Sequence, residues 1–217
     1  IFYVLLRRGR HPSVDARLEE LLCSPVFAAV RSYTPERLLK VVPVEGDMDA
    51  PGAGLSDAAV DALSESVTHI FHCAANVRFD GPLPDALRVN VLGLVSMLDL
   101  ARQCARLRLF LHVSTAYAHC PSPVVPEGPM SASLPPALCA LDGVRAIVAG
   151  RWLPPDLAGR PNTYTLSKAI GEAVLEQYGT GLPRILFRPS IIGASWREPE
   201  PGFVDCVFGA GKIIQAM

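Results

Sequence analysis

The sequence has little that would tie it to a membrane or to nucleic acid. Its best apolar stretch, Val89 to Ala101, is broken by Asn90, Ser96 and Asp99, so no run is long enough to cross a bilayer as a helix. There is no basic stripe, and the formal net charge is −1, which argues against a nucleic-acid partner. The six cysteines (Cys23, Cys73, Cys104, Cys120, Cys139 and Cys206) form no C-x-x-C pair. They read as reduced thiols of an intracellular protein. His69, His72, Cys73, His119 and Cys120 lack paired ligand spacing, so no metal site is expected. There is no internal repeat and no signal-peptide pattern. The chain does not begin with Met. It starts inside a strand-like run, Ile1 to Leu6, and ends inside a helix-like one, Lys212 to Met217. Both ends are therefore expected to be cuts in a longer protein.

What is present is a core. Half of the 217 residues are hydrophobic, enough for one sizeable domain over residues 1–217. Residues 1–6 form a continuous apolar run, as expected of a strand buried on both faces. Ser13 can cap a helix running to about Cys23. Val41 to Val44 is a second short strand, ended by Gly46 and Asp47, and Ser56 opens a helix to about Ser64. His69 to Ala75 reads as a strand, Pro84 to Arg106 as one long helix, and Leu109 to Val113 as a strand. Residues 118–160 are too long for an ordinary connection and read as a functional loop with short helices. A helix with Tyr164 near its start and a strand from Arg184 to Phe187 follow. Strands alternating with helices predict a doubly wound, parallel α/β sheet with right-handed crossovers.

The chemistry-bearing residues fall at strand ends, where such sheets bind ligands. Tyr164 and Lys168 share a helix face about 6 Å apart along the axis. An ammonium beside a phenol is expected to pull the phenol pKa down and ready it for proton transfer. Arg7 and Arg8 follow the first strand, where an arginine suits a ribose 2′-phosphate and an acid suits the free hydroxyl. That favours NADP over NAD. Asp47 is placed to accept from an adenine amino group. Ala74 and Ala75, followed by Asn76, let backbone approach a flat cofactor. Ser114 and Thr115 end a strand, and alternation allows only one of them to face the ligand edge. Asn90 lies inside the long helix, where a solvent-facing side chain is the simplest expectation.

The order of these signals resembles the reductase domain of eukaryotic fatty acyl-CoA reductases, within the extended short-chain dehydrogenase/reductase superfamily. The residues that carry it are Tyr3 to Arg7, Ile70 to Ala75, Val77 to Phe79, His112 to Ala118, Arg160 to Tyr164 with Lys168, and Arg188 to Trp196. The resemblance implies reduction of a long-chain acyl-CoA to a fatty alcohol through an aldehyde, using NADPH. It implies a catalytic set of Thr115 (or Ser114), Tyr164 and Lys168, supported by Asn90. Cofactor contacts would come from Arg7, Arg8, Asp47, Ala74, Ala75, Asn76, Lys168, Pro189, Ser190 and Ile191. It further implies a location on the cytosolic face of the peroxisomal membrane, held by a region outside this sequence.

Two departures from the family pattern stand out. The first strand and its glycine-rich pyrophosphate loop are absent, and Phe203 to Gly209 is shorter than the family's pattern. In the strand order 3-2-1-4-5-6 the missing strand is central. The fold class expected is therefore a Rossmann-like sheet without that strand. A nucleotide-sugar epimerase or dehydratase is the competing enzyme, against which Arg7, Asn162 to Lys168 and Arg188 to Trp196 argue. A non-catalytic or partner-binding remnant is the competing non-enzyme.

Overall fold

The computed structural model describes residues 1–125, 127–128 and 134–205. Cys206 and the helix expected over Lys212 to Met217 lie outside the described residues. The chain forms two compact units, one of residues 1–47 with 191–217 and one of residues 48–190.

In the first unit, β1 (Phe2–Leu6) is followed by α1 (Val14–Cys23), α2 (Ala28–Tyr33) and β2 (Val41–Glu45). Ser13 caps α1 as expected, its Oγ accepting from the Ala16 amide at 3.1 Å. Arg31 on α2 donates to the Leu22 carbonyl in the last turn of α1 and to the Ser24 carbonyl just past it. β1 and β2 run parallel, Phe2 opposite Val41 and Leu6 opposite Glu45. The expected burial of β1 on both faces is not realised, since Phe2 is 67% and Tyr3 38% exposed. β1 is paired along one edge only among the described residues, and Leu18 on α1 is the unit's one buried side chain there.

The second unit contains α3 (Asp57–Ser66), β3 (His69–His72), α4 (Leu83–Leu87), α5 (Gly93–Gln103) and β4 (Leu109–Val113). It continues through α6 (Pro136–Cys139), α7 (Leu141–Val148), α8 (Thr163–Tyr178) and β5 (Arg184–Phe187). Its three strands are parallel in the order β3-β4-β5. The sheets β1-β2 and β3-β4-β5 are what the order 3-2-1-4-5-6 leaves when strand 1 is removed.

Alternation along the strands decides where this core sits. Ile70, His72, Phe110 and His112 are buried, while Phe71, Ile185 and Phe187 on the opposite face are exposed. Leu87, Val91, Leu138, Ile147, Leu166, Ile170 and Val174 pack into one cluster that draws α4, α5, α6, α7 and α8 together. Each such side chain contributes about 1.5–3 kcal/mol by leaving water. Gly93 is required by a close approach: a Cβ there would lie 2.8 Å from the Met48 carbonyl oxygen.

Two expected elements are modified. The helix expected from Pro84 to Arg106 contains a π-helical turn at Arg88–Leu92 between α4 and α5. The strand expected to reach Ala75 stops at His72. Both changes centre on Asn90.

Candidate active site

Asn90 is 1% exposed, not solvent-facing. Its Oδ1 accepts from the Asn76 amide at 2.7 Å, and its Nδ2 donates to the Asn76 carbonyl at 3.0 Å. The same nitrogen donates to Ser167 Oγ at 2.8 Å. One side chain thus satisfies both backbone groups of Asn76, which sheet pairing would otherwise use, and β3 ends early. The π turn that carries Asn90 is a geometry frequent at functional sites.

Asn162 caps α8, accepting from the Thr165 amide at 2.9 Å. Thr163 Oγ1 donates to the Gly81 carbonyl at 3.0 Å. The Tyr164 ring lies 5.5 Å from that of Phe79. One turn on, Lys168 is 3% exposed and donates to the Val113 carbonyl at 2.7 Å. The expected lowering of the Tyr164 pKa by Lys168 is not what the structure shows. Burial holds the Tyr164 phenol above its usual value. Lys168 itself is lowered from 10.5 to about 8 by burial, against the opposing pull of Cys73 and Glu172. Burial is the cause at both groups, and the Lys168 ammonium is directed to a β4 carbonyl.

The two hydroxyls at the end of β4 separate clearly. Ser114 Oγ donates to Glu172 Oε1 at 2.5 Å. Thr115 Oγ1 accepts from the Tyr117 amide at 3.3 Å. Ser114 is therefore engaged with α8, and Thr115 is the hydroxyl outside that network.

Sequence reasoning missed Glu172. Its carboxylate also accepts from His119 Nε2 at 2.6 Å and from Arg188 Nη2 at 2.7 Å. Burial alone would raise its pKa, but the bonds from His119, Arg188 and Ser114 outweigh it and hold the group below its usual value. A signal was available: one acid in the apolar stretch Ala169 to Leu175 must be paired if that stretch is buried. A second missed feature is a histidine pair across β3 and β4, with Nδ1 atoms 2.9 Å apart. His72 is lowered to about 4 by burial and by Lys168, and His112 well below its usual range by burial, His72 and Lys168. Both rings are neutral near pH 7, so one Nδ1 donates and the other accepts. His119 and His72 are thus committed to partners other than Cys73 and Cys120, and His69 Nδ1 meets its neighbour Thr68 at 2.9 Å.

The cofactor residues expected from sequence divide between the two units. Arg7, Arg8, Asp47 and Ile191 belong to the first; Ala74, Ala75, Asn76, Lys168, Pro189 and Ser190 belong to the second. Arg7 and Asp47 lie at the ends of β1 and β2, 3.9 Å apart and both solvent-accessible. In the second unit, Ala74 is exposed and Ala75 half-buried just past β3, and the Pro189 carbonyl accepts from the Ala116 amide at 3.0 Å. Within the second unit, small residues after β3 and a buried ammonium beside β4 fit the nicotinamide end of a dinucleotide.

The fold is that of a Rossmann-like, parallel α/β domain. Comparison with solved structures agrees on the fold. The terminal R domain of the myxalamid PKS-NRPS pathway superposes with a TM-score of 0.62 at 24% identity, covering 90% of this chain and 43% of that one. A nonribosomal peptide synthetase R domain from Mycobacterium tuberculosis gives 0.59 at 24% identity, over 89% and 42%. The sequence model of an NAD-binding family described as "Male sterility protein" matches residues 1–216, and the chain belongs to that family. Among curated proteins it is 37% identical to fatty acyl-CoA reductase 1 of Gallus gallus and 36% to that of Homo sapiens. It is 33% identical to fatty acyl-CoA reductase wat of Drosophila melanogaster. These alignments cover 98–99% of this chain but only 41–42% of each relative.

Proposed function

We propose that the protein containing this chain reduces a long-chain fatty acyl-CoA, with NADPH, to the alcohol through the aldehyde. The observation that carries the reading is the placement of Tyr164, Lys168, Thr115 and Asn90 about the ends of β3 and β4. The relatives' names support the acyl substrate, and Arg7 and Arg8 after β1 support the 2′-phosphate of NADPH.

Bound NADPH would supply the hydride to the thioester carbonyl and, in a second round, to the aldehyde. The residues of this chain do the rest. Thr115 and Tyr164 donate to the carbonyl oxygen as it gains negative charge. Loss of the CoA thiolate from the resulting hemithioacetal gives the aldehyde. Tyr164 then gives its proton to the alkoxide of the second reduction. A phenol kept above its usual pKa stays protonated at neutral pH, which suits a proton donor. Lys168 spends one N–H on Val113 and has two more donors for the nicotinamide ribose hydroxyls. Asn90 fixes the Asn76 backbone and, through Ser167, the turn of α8 before Lys168.

The test is Tyr164→Phe in the full-length protein. Turnover of acyl-CoA is expected to fall about a thousandfold, within the range general acid catalysis supplies, while NADPH affinity stays unchanged. Near-normal turnover by that variant overturns the assignment.

A further inference from the structure

The Glu172 carboxylate sits eight residues after Tyr164 and four after Lys168, so the three side chains share one face of α8. Its side chain is 4% exposed and its ion-pair partner Arg188 12%. Stability is a poor reason for such a group. A buried ion pair gains little over well-packed apolar side chains, because both charges lose their water. What the pair does supply is geometry. Oε1 accepts from Ser114 Oγ at 2.5 Å, and Oε2 from His119 Nε2 at 2.6 Å. Arg188 Nε lies 3.1 and 3.0 Å from the two oxygens, and its Nη2 lies 2.7 Å from Oε2. Ser114 and His119 bracket the turn that begins at Thr115. The flanking amides are tied as well, Ser114 N to the Phe187 carbonyl at 2.8 Å and Ala116 N to the Pro189 carbonyl at 3.0 Å. One turn back along α8, Lys168 holds the Val113 carbonyl.

We propose that Glu172 is a positioning residue for the reduction: it locks the Thr115 turn in register with the helix that carries Tyr164 and Lys168. The inference rests on the reading of Thr115 and Tyr164 given above. α8 holds the end of β4 and the segment after it at Val113, Ser114 and His119, and the Thr115 hydroxyl between them bonds to the Tyr117 amide instead of to α8. Its place is set by its neighbours, and their side chains converge on one carboxylate. Arg188 neutralises that carboxylate and extends the network to the Gly128 carbonyl at 2.9 Å.

The test is a double-mutant cycle in the full-length protein, read as kcat and KM for acyl-CoA and NADPH. Glu172→Gln is expected to lower kcat about tenfold to a hundredfold, the cost of a misplaced reacting group. Both KM values should change by less than about twofold. In the Thr115→Val background the same substitution should cost less than about threefold more, because there is no hydroxyl left to misplace. Losses that multiply, or a wild-type kcat per folded molecule in Glu172→Gln, overturn the proposal while leaving the catalytic reading intact. A Thr115→Val variant with wild-type turnover overturns the catalytic role of Thr115 and the positioning role with it. If Glu172→Gln does not fold, Ser114→Ala removes a single bond of the network and carries the same cycle. A multiplying loss there is equally decisive.

Discussion

The two compact units spend their residues differently. In residues 48–190, α8 alone has eleven consecutive buried residues, Thr165 to Leu175, among them Ser167, Lys168 and Glu172. In the other unit Leu18 is the one buried side chain among the described residues, while Phe2 is 67% and Trp196 93% exposed. Burial is what gives polar groups their character, by stripping water and forcing each to find a partner. The groups displaced furthest from their ordinary chemistry, His72, His112 and Lys168, all lie in the well-buried unit. The other unit keeps Arg7, Arg8 and Asp47 accessible to water. Buried polar groups are thus concentrated in one unit and these solvent-accessible charges lie in the other.

Core truncation should show the largest contrast. Phe110→Ala is expected to destabilise its unit by about 3–5 kcal/mol, and Phe2→Ala to stay within about 0.5 kcal/mol. Urea unfolding of the full-length protein, followed by hydrogen exchange, reads both; equal losses would break the comparison. The next effect is a pH dependence. His72 titrates near 4 when folded and near 6.5 otherwise. Between those values the unfolded chain binds a proton that the folded chain does not. His72 alone should therefore cost about 3 kcal/mol of stability as pH drops from 6.5 to 4. His72→Gln, which cannot titrate, should make that slope shallower in thermal melts, with His112 supplying the remainder, and an unchanged slope counts against the burial argument. The smallest effect is local to the first unit. Ser13→Ala removes the α1 cap and should cost about 1 kcal/mol, read as faster amide exchange in α1 with α8 unaffected.

The strands and caps were legible because they are local. Apolar runs marked β1, β2, β4 and β5, and Ser13 and Ser56 precede helices whose amides they cap. The order of Asn90, Thr115, Tyr164 and Lys168 along a strand–helix alternation, with the family resemblance, marked them as a candidate set. Long-range partners were not legible. Nothing near Asn90 in sequence announces that its amide will hold Asn76 and Ser167, 14 and 77 residues away. Nor does the spacing of His72 and His112 show that parallel pairing sets them side by side in register. The Tyr164 pKa was misjudged for the same reason. Helical spacing places Lys168 on the right face, but the carbonyl that captures its ammonium belongs to another strand.

Gly171 lies between Lys168 and Glu172 in the middle of α8. A Cβ there would meet the Asn90 carbonyl oxygen at 3.4 Å and His112 Nε2 at 3.8 Å, ordinary contact distances. Alanine would therefore fit, and it is the better helix former by about 1 kcal/mol. The chain forgoes that gain at the centre of its most buried helix. Gly171→Ala is thus a thermostabilising substitution within the catalytic helix itself, and one that sets a methyl group against the backbone of Asn90.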